Sequence, residues 1–162
     1  MNKKQLSERD ICSKFITPSL VKNGWDINTQ IREEFPFTSG QVFVRGKKIF
    51  RGKRKRVDYL LSLKQDFPLA LIEVKENNHN VGDGMQQALD YAESLDIPFV
   101  FSTNGDAYLF HDKTAQDKPE KEIKLEDFPS PDFLYNKFLK WKNFKTNDEN
   151  IILNDFYSDQ DS

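Results

Sequence analysis

Two short runs rich in aliphatic, β-branched and aromatic residues, 57–63 and 69–74, are separated only by Lys64–Pro68 with its turn-forming Asp66 and Pro68. Runs of this length and composition read as strands, and so short a link makes them antiparallel neighbours. Each carries charge at an end. Asp58 begins the first strand, and Glu73 and Lys75 close the second after the buried run Ala70, Leu71 and Ile72. Because strand side chains alternate faces, Glu73 and Lys75 point to one side and Val74 to the other. An antiparallel partner can then set the Asp58 carboxylate beside Glu73. The expectation is a charged cluster at the edge of a sheet, open to solvent and substrate.

The remaining chain supplies layers around these strands. Ser7 and Asp10 read as a capping box that opens a first helix with Ile11, Phe15 and Leu20 on one face. Pro18 is expected to divide that helix in two, and Asn23-Gly24 to stop it. Residues 27–37 suggest an edge strand interrupted by Pro36, leading to a segment punctuated by Gly40, Gly46 and Gly52 that reads as turns or a long hairpin. After the polar stretch 77–84, Ala88, Leu89, Ala92 and Leu95 recur at helical spacing within Met85–Leu95. Residues 99–103 and 107–110 flank Asn104-Gly105-Asp106 as a hairpin. Residues 113–122 read as a polar loop, and Phe133, Leu134, Phe138, Leu139 and Trp141 mark a closing helix over 131–144 that packs on the sheet. No internal repeat or low-complexity segment interrupts this order. The architecture expected is α/β: a central mixed sheet of four or five strands flanked by helices.

At 162 residues the chain has the length of one domain, and 37% hydrophobic content with 14 Phe supplies a core. No apolar run approaches a membrane span and the N-terminal residues carry no signal-peptide stretch, so the reading is a soluble cytoplasmic protein with no membrane partner. Cys12 is the single cysteine, which excludes an internal disulfide or a cysteine-based metal cluster and leaves oxygen as the principal metal ligand. Cys12, Trp25 and Trp141 are expected in the core. The net charge of −2 hides an asymmetry. Arg45, Lys47, Lys48, Arg51, Lys53, Arg54, Lys55 and Arg56 form a run with no Asp or Glu between Glu34 and Asp58, whereas the tail after Lys145 is acidic. Such a run is either a solvated loop or a phosphate-binding surface. Its approach to Asp58 favours the second.

Two adjacent carboxylates repel unless a cation lies between them, and hard oxygen ligands suit Mg²⁺. Such an ion serves phosphodiester hydrolysis, with Lys75 able to orient water or offset charge on phosphorus and the basic run able to deliver a phosphate. Asp58, the step of fifteen residues to Glu73-Val74-Lys75, and the helix beyond resemble the PD-(D/E)xK nuclease superfamily, with Val57 where the name has proline. Gln87 and Tyr91 match the QxxxY helix of its RecB-like branch. More closely, GWDINTQIREEFPFTSGQVFVRGKK and RGKRKRVDYLLSLKQDFPLALIEVKENNHNVGDGMQQALDYAESLDIPFVFSTNGD resemble the N-terminal nuclease domain of type I restriction enzyme R subunits, a likeness covering about Leu6 to Asp112.

The resemblance implies a restriction-endonuclease-like fold with Mg²⁺ on Asp58 and Glu73, the Val74 carbonyl as a further ligand, and Lys75 as the catalytic lysine. Gln87 and Tyr91 would orient DNA or that lysine, and Glu8 would match the acidic residue that many members place near the metal. Arg51, Lys53, Arg54, Lys55 and Arg56 would contact DNA. Residues 1–145 would form the endonuclease domain, and 146–162 an acidic extension leading to an absent motor. No GxxxxGK(S/T) phosphate loop occurs, so ATP would act only through that motor. The implied function is cleavage of double-stranded DNA without sequence reading of its own, in partnership with methylation and specificity subunits. Two alternatives stay open: a repair or recombination nuclease of the same superfamily, and a silent module that binds DNA or a partner. His79, in an Asn-rich loop, reads as a solvated side chain.

Overall fold

The computed structural model describes residues 2–38, 41–44, 47–50 and 54–149. Its centre is a six-stranded mixed sheet in the order β1-β4-β5-β6-β7-β8. The strands are β1 (Ile31–Thr38), β4 (Arg54–Lys64), β5 (Phe67–Val74), β6 (Phe99–Thr103), β7 (Ala107–Asp112) and β8 (Glu120–Lys124). A separate antiparallel pair joins β2 (Gln41–Val44) to β3 (Lys47–Phe50), within the segment expected to form a hairpin. Neighbours are antiparallel except β5 and β6, which run parallel because a helix intervenes between them. The sheet is one strand wider than expected. The addition is β8, Glu120-Lys121-Glu122-Ile123-Lys124, within and beyond what reads as a polar loop; it is an edge strand, and its charges hide the alternation that would reveal it.

Two apolar layers cover the sheet. On one face Tyr59, Leu61, Ala70, Ile72, Phe99, Phe101 and Tyr108 pack beneath Ile11, Ile16, Leu20 and Leu134 from the N- and C-terminal helices. On the other, Leu60, Leu71 and Val100 meet Met85, Ala88, Tyr91 and Ala92 of the helix Met85–Leu95. That helix matches the extent set by its apolar spacing. The alternation along β5 sorts side chains between the two cores, with the Glu73 position on the Met85–Leu95 side beside Leu71; along β4 it is broken, since Val57 and Leu60 both pack on that side. Trp25 is fully buried and donates its indole N–H to the Pro129 carbonyl. Trp141 is only partly buried, beside Phe138 and Lys142.

Ser7 caps the first helix as expected, its hydroxyl accepting the Asp10 N–H. Pro18 does not break the helix. α1 (Glu8–Ile11) passes through a π-helical turn, Cys12–Ile16, into α2 (Thr17–Lys22). A proline removes one N–H and crowds the carbonyl four residues back, and a wider turn accommodates both. The buried Tyr59 steadies the widened turn: its hydroxyl donates to the Cys12 carbonyl (3.2 Å) and lies 2.6 Å from Thr17 Oγ1. α3 is Met85–Leu95, and α4, Pro131–Glu149, runs five residues beyond the expected end. Phe67 meets Tyr135 and Phe138 of α4 edge-on, at 5.8 and 5.6 Å between ring centroids. The 104–106 turn is as expected for Asn-Gly. Gly105 has φ +93°, and a Cβ there would come within 3.0 Å of Ile11 Cγ2, so only glycine fits both the turn and the contact.

Tyr59→Phe keeps the ring and removes the hydroxyl that ties β4 to the π turn. It should lower stability by about 1–2 kcal/mol, measured by urea denaturation.

Candidate active site

The site forms where β4 and β5 part. The register Tyr59↔Ile72, continued one step, sets Asp58 opposite Glu73, so their side chains share one face as close cross-strand neighbours. The ladder stops there because the Val74 N–H donates to Asp58 Oδ2 (2.8 Å). Beyond that point β5 holds to its other neighbour, with the Lys75 N–H donating to the Thr103 carbonyl (2.9 Å). The parting opens a cavity of about 450 Å³ lined by Glu8, Pro36, Arg54, Lys55, Arg56, Asp58, Glu73, Val74, Lys75 and Gln87. Two positional expectations change. The cluster sits at the end of an interior strand rather than at the sheet's lateral edge, and Asp58 lies within β4, which continues back to Arg54. The reason is that β4 stays paired with β1 through its basic residues, Phe37 opposite Lys55 and Pro36 opposite Arg56.

Electrostatics mark the carboxylates. Glu73 is 5% exposed, and its Oε1 has no hydrogen-bond partner within the protein. Burial, followed by the Asp58 carboxyl beside it, raises the Glu73 pKa to about 9, with Lys75 opposing the rise. Glu8 is also raised, by burial and then by Asp58. An uncompensated buried oxygen facing a second carboxylate favours either a proton or a cation. Among the described residues no three His, Cys, Asp or Glu side chains converge on one point that could hold a metal ion. A cation would therefore rest on Asp58 and Glu73 plus backbone and water oxygens, a donor set that suits Mg²⁺, which keeps several waters. The residues present fit that ion.

The structure gathers most of the sequence-predicted residues. Glu8, Arg54, Lys55, Arg56, Asp58, Glu73, Val74, Lys75 and Gln87 share the cavity. Tyr91 stands behind it, buried, with its hydroxyl accepting a hydrogen bond from Gln87 Nε2. Arg51 and Lys53 lie outside the described residues, as does most of the 146–162 extension. His79 is exposed and paired with Asp83, as the solvated reading expects.

The sequence reading passed over the supports. Asn77 donates to the Asn104 carbonyl (2.9 Å), Asn104 to the His79 carbonyl (2.7 Å), and Ser102 to the Val81 carbonyl (2.8 Å), which binds the 77–84 loop to the β6–β7 corner. Gly84, the N-cap of α3, would bring a Cβ within 3.5 Å of Lys75 Cγ and 3.6 Å of Glu73 Cβ, so the helix start abuts both. A polar run between a charged strand end and a helix is the one signal that could have pointed to them.

A mixed sheet whose parted central strands present an Asp, a Glu-x-Lys pair and a helix behind them defines the restriction-endonuclease-like fold. A family described as type I restriction enzyme R protein N terminus matches residues 41–119. The chain is 45% identical over 161 residues to the type I restriction enzyme EcoAI endonuclease subunit of Escherichia coli, covering 98% of this chain and 20% of that one. It is also similar to a solved fragment described as an HsdR subunit of a type I restriction enzyme from Vibrio vulnificus YJ016, at 42% identity and a TM-score of 0.70, covering 84% of this chain and 26% of that one. Over these residues the chain is similar to the N-terminal domains of type I restriction enzyme R proteins, and it spans about a fifth of the curated relative's length. No helix among the described residues is long and apolar enough to cross a membrane.

The raised Glu73 pKa sets a pH dependence for the metal-free protein. An unfolded glutamate ionises near 4.5, so from there to about 9 the folded chain retains a proton that the unfolded chain has released. That contribution to stability is complete below 4.5 and is lost as pH rises toward 9. Denaturation in a chelator should show stability falling across this window in the wild type, with a flatter profile in Glu73→Gln.

Proposed function

We propose that this chain carries the DNA-cleaving site of a type I restriction enzyme R subunit, hydrolysing phosphodiester bonds of double-stranded DNA with Mg²⁺. The observation that carries the reading is the unpartnered, buried Glu73 Oε1 facing Asp58 in a cavity that also holds Lys75 and three cations of β4. Asp58 and Glu73 would hold the ion, with the Val74 carbonyl as a further ligand. When bound, Mg²⁺ supplies Lewis-acid polarisation of the phosphate and a more acidic water. Asp58 is already oriented, one oxygen fixed by the Val74 N–H, which leaves the other for a ligand. Lys75 follows Glu73 on the same face and extends past Gly84 into the cavity, where its ammonium can neutralise charge that builds on the phosphate. Arg54, Lys55 and Arg56 form the approach for the DNA backbone, contacts that carry no sequence information.

Site choice would therefore lie elsewhere, with separate specificity and methylation subunits as partners. A motor segment of the longer subunit would account for any use of ATP. Residues 1–145 form the endonuclease domain in this proposal, and 146–162 lead toward that motor. The assembly would be cytoplasmic, where DNA and Mg²⁺ are both present.

The test is plasmid cleavage by the complete assembly carrying this domain. Asp58→Ala and Glu73→Ala should each reduce the Mg²⁺-dependent rate by at least about 10³-fold, and Lys75→Ala by about 10²–10³-fold. Unimpaired cutting by either carboxylate variant would refute the assignment. In parallel, Mg²⁺ should raise the melting temperature of the 162-residue chain and should not raise that of Asp58→Ala.

A further inference from the structure

Gln87 and Tyr91 occupy one face of α3, and family resemblance directs them toward DNA or the lysine that follows Glu73. The observed contacts of Tyr91 lead to a different lysine. Its ring lies 5.6 Å from Lys55 Nζ and meets Phe37 edge-on, with centroids 5.1 Å apart at 78°. Phe37 is the cross-strand partner of Lys55 in the β1–β4 ladder. Lys55 thus lies over the ring that arrives from the helix, and that ring packs on Phe37, the residue opposite Lys55 in the sheet. Tyr91 is itself fixed, being 8% exposed with its hydroxyl bonded to Gln87. Lys55 lines the same cavity as Asp58, Glu73 and Lys75.

We propose that Tyr91 is a positioning residue for Lys55, holding its ammonium at the rim of the cavity as a preset contact for a DNA phosphate next to the one cleaved. The inference rests on the reading of the cavity as a phosphodiester-hydrolysing site. A lysine side chain free in solvent loses much rotamer freedom when it binds a phosphate. A ring face attracts the ammonium without neutralising it, so the charge remains available to the phosphate while part of the ordering is done in advance. Arg54 and Arg56, both exposed, flank Lys55; Arg56 is 3.5 Å from Glu34 Oε1 and shares its charge with that carboxylate. Gln87 bonds the Tyr91 hydroxyl, while the ring itself is held by burial and by its packing on Phe37.

The test is the salt dependence of binding between the 162-residue chain and a short fluorescent DNA duplex, read by anisotropy. Each phosphate contact contributes about 0.9 to the slope of log affinity against log salt. Lys55→Met should lower the slope by about 0.9, and Tyr91→Leu should lower it comparably. The double variant should show no further drop. Tyr91→Phe and Lys55→Arg, which keep a ring and a cation, should retain the wild-type slope. A Tyr91→Leu slope equal to wild type, a loss in the double variant that adds to the Lys55→Met loss, or a loss already present in Tyr91→Phe would overturn the clamp. Absence of duplex binding by the wild type, or an unchanged slope in Lys55→Met, would overturn the phosphate surface itself and the clamp with it. Should Tyr91→Leu fail to fold, the wild-type NMR spectrum decides. The ring current predicts upfield Lys55 ε-methylene protons, assigned by their loss in Lys55→Met, and a random-coil position would overturn the inference.

Discussion

The confrontation of Asp58 with Glu73 across two antiparallel strands is the constraint on which the rest of the structure depends. Neither carboxylate can be moved far. Glu73 ends a strand buried on both sides, and Asp58 is fixed by the Val74 N–H at 2.8 Å. That hydrogen bond has two effects at once. It takes a donor that would otherwise continue the β4–β5 ladder, so the strands part and a cavity opens. It also leaves only one Asp58 oxygen toward that cavity. A side chain that terminates a sheet pairing is therefore also the one that prepares the site's chemistry, and the same backbone step supplies both.

The layers around the sheet serve that arrangement unequally. On the α3 side the helix begins almost in contact with Lys75 and Glu73, and its apolar residues fill the space beneath Leu60 and Leu71. The polar end of the helix and the charged end of β5 are thereby brought together by apolar burial, worth about 1.5–3 kcal/mol for each large side chain. On the opposite side the N-terminal helix reaches the cavity through Glu8, and its widened turn is tied to Tyr59, the neighbour of Asp58. A single strand thus orients both the metal-binding candidate and the helix that carries Glu8.

Much of this was legible because side chains alternate along β5 and through Tyr59–Leu61 of β4. The fifteen-residue step from Asp58 to Glu73, with a turn between, can place both carboxylates on one face. The extent of α3 followed from Ala88, Leu89, Ala92 and Leu95 in the same way. Three features escaped for separate reasons. β8 carries the charges of an exposed edge, and edge strands avoid the apolar alternation that identifies a strand. Pro18 reads as a break, but a π turn has a longer repeat than the sequence pattern assumes and absorbs the missing N–H. The approach of Tyr91 to Lys55 depends on the twist of β1 and β4 against α3, a tertiary relation that no local spacing encodes.

Glu34 shows how narrowly the carboxylate pair is specified. The β1–β4 ladder pairs Glu33 with Tyr59 and Phe35 with Val57 and skips Glu34, whose partner in an unbroken ladder would be Asp58. A regular β1 would then direct a third carboxylate at the cluster. Glu34 instead has φ +52°, a left-handed conformation that costs a non-glycine residue about 1–3 kcal/mol. Its side chain is absent from the cavity lining and lies 3.5 Å from Arg56 and 3.7 Å from Arg9. The backbone departs from the strand at the one residue whose regular geometry would crowd Asp58, and the two arginines compensate the charge so displaced. A third negative group at the cluster would raise the cost of keeping Glu73 ionised. The local strain in β1 accordingly leaves two facing carboxylates, Asp58 and Glu73, in the cavity, with Glu34 turned to the arginines outside it.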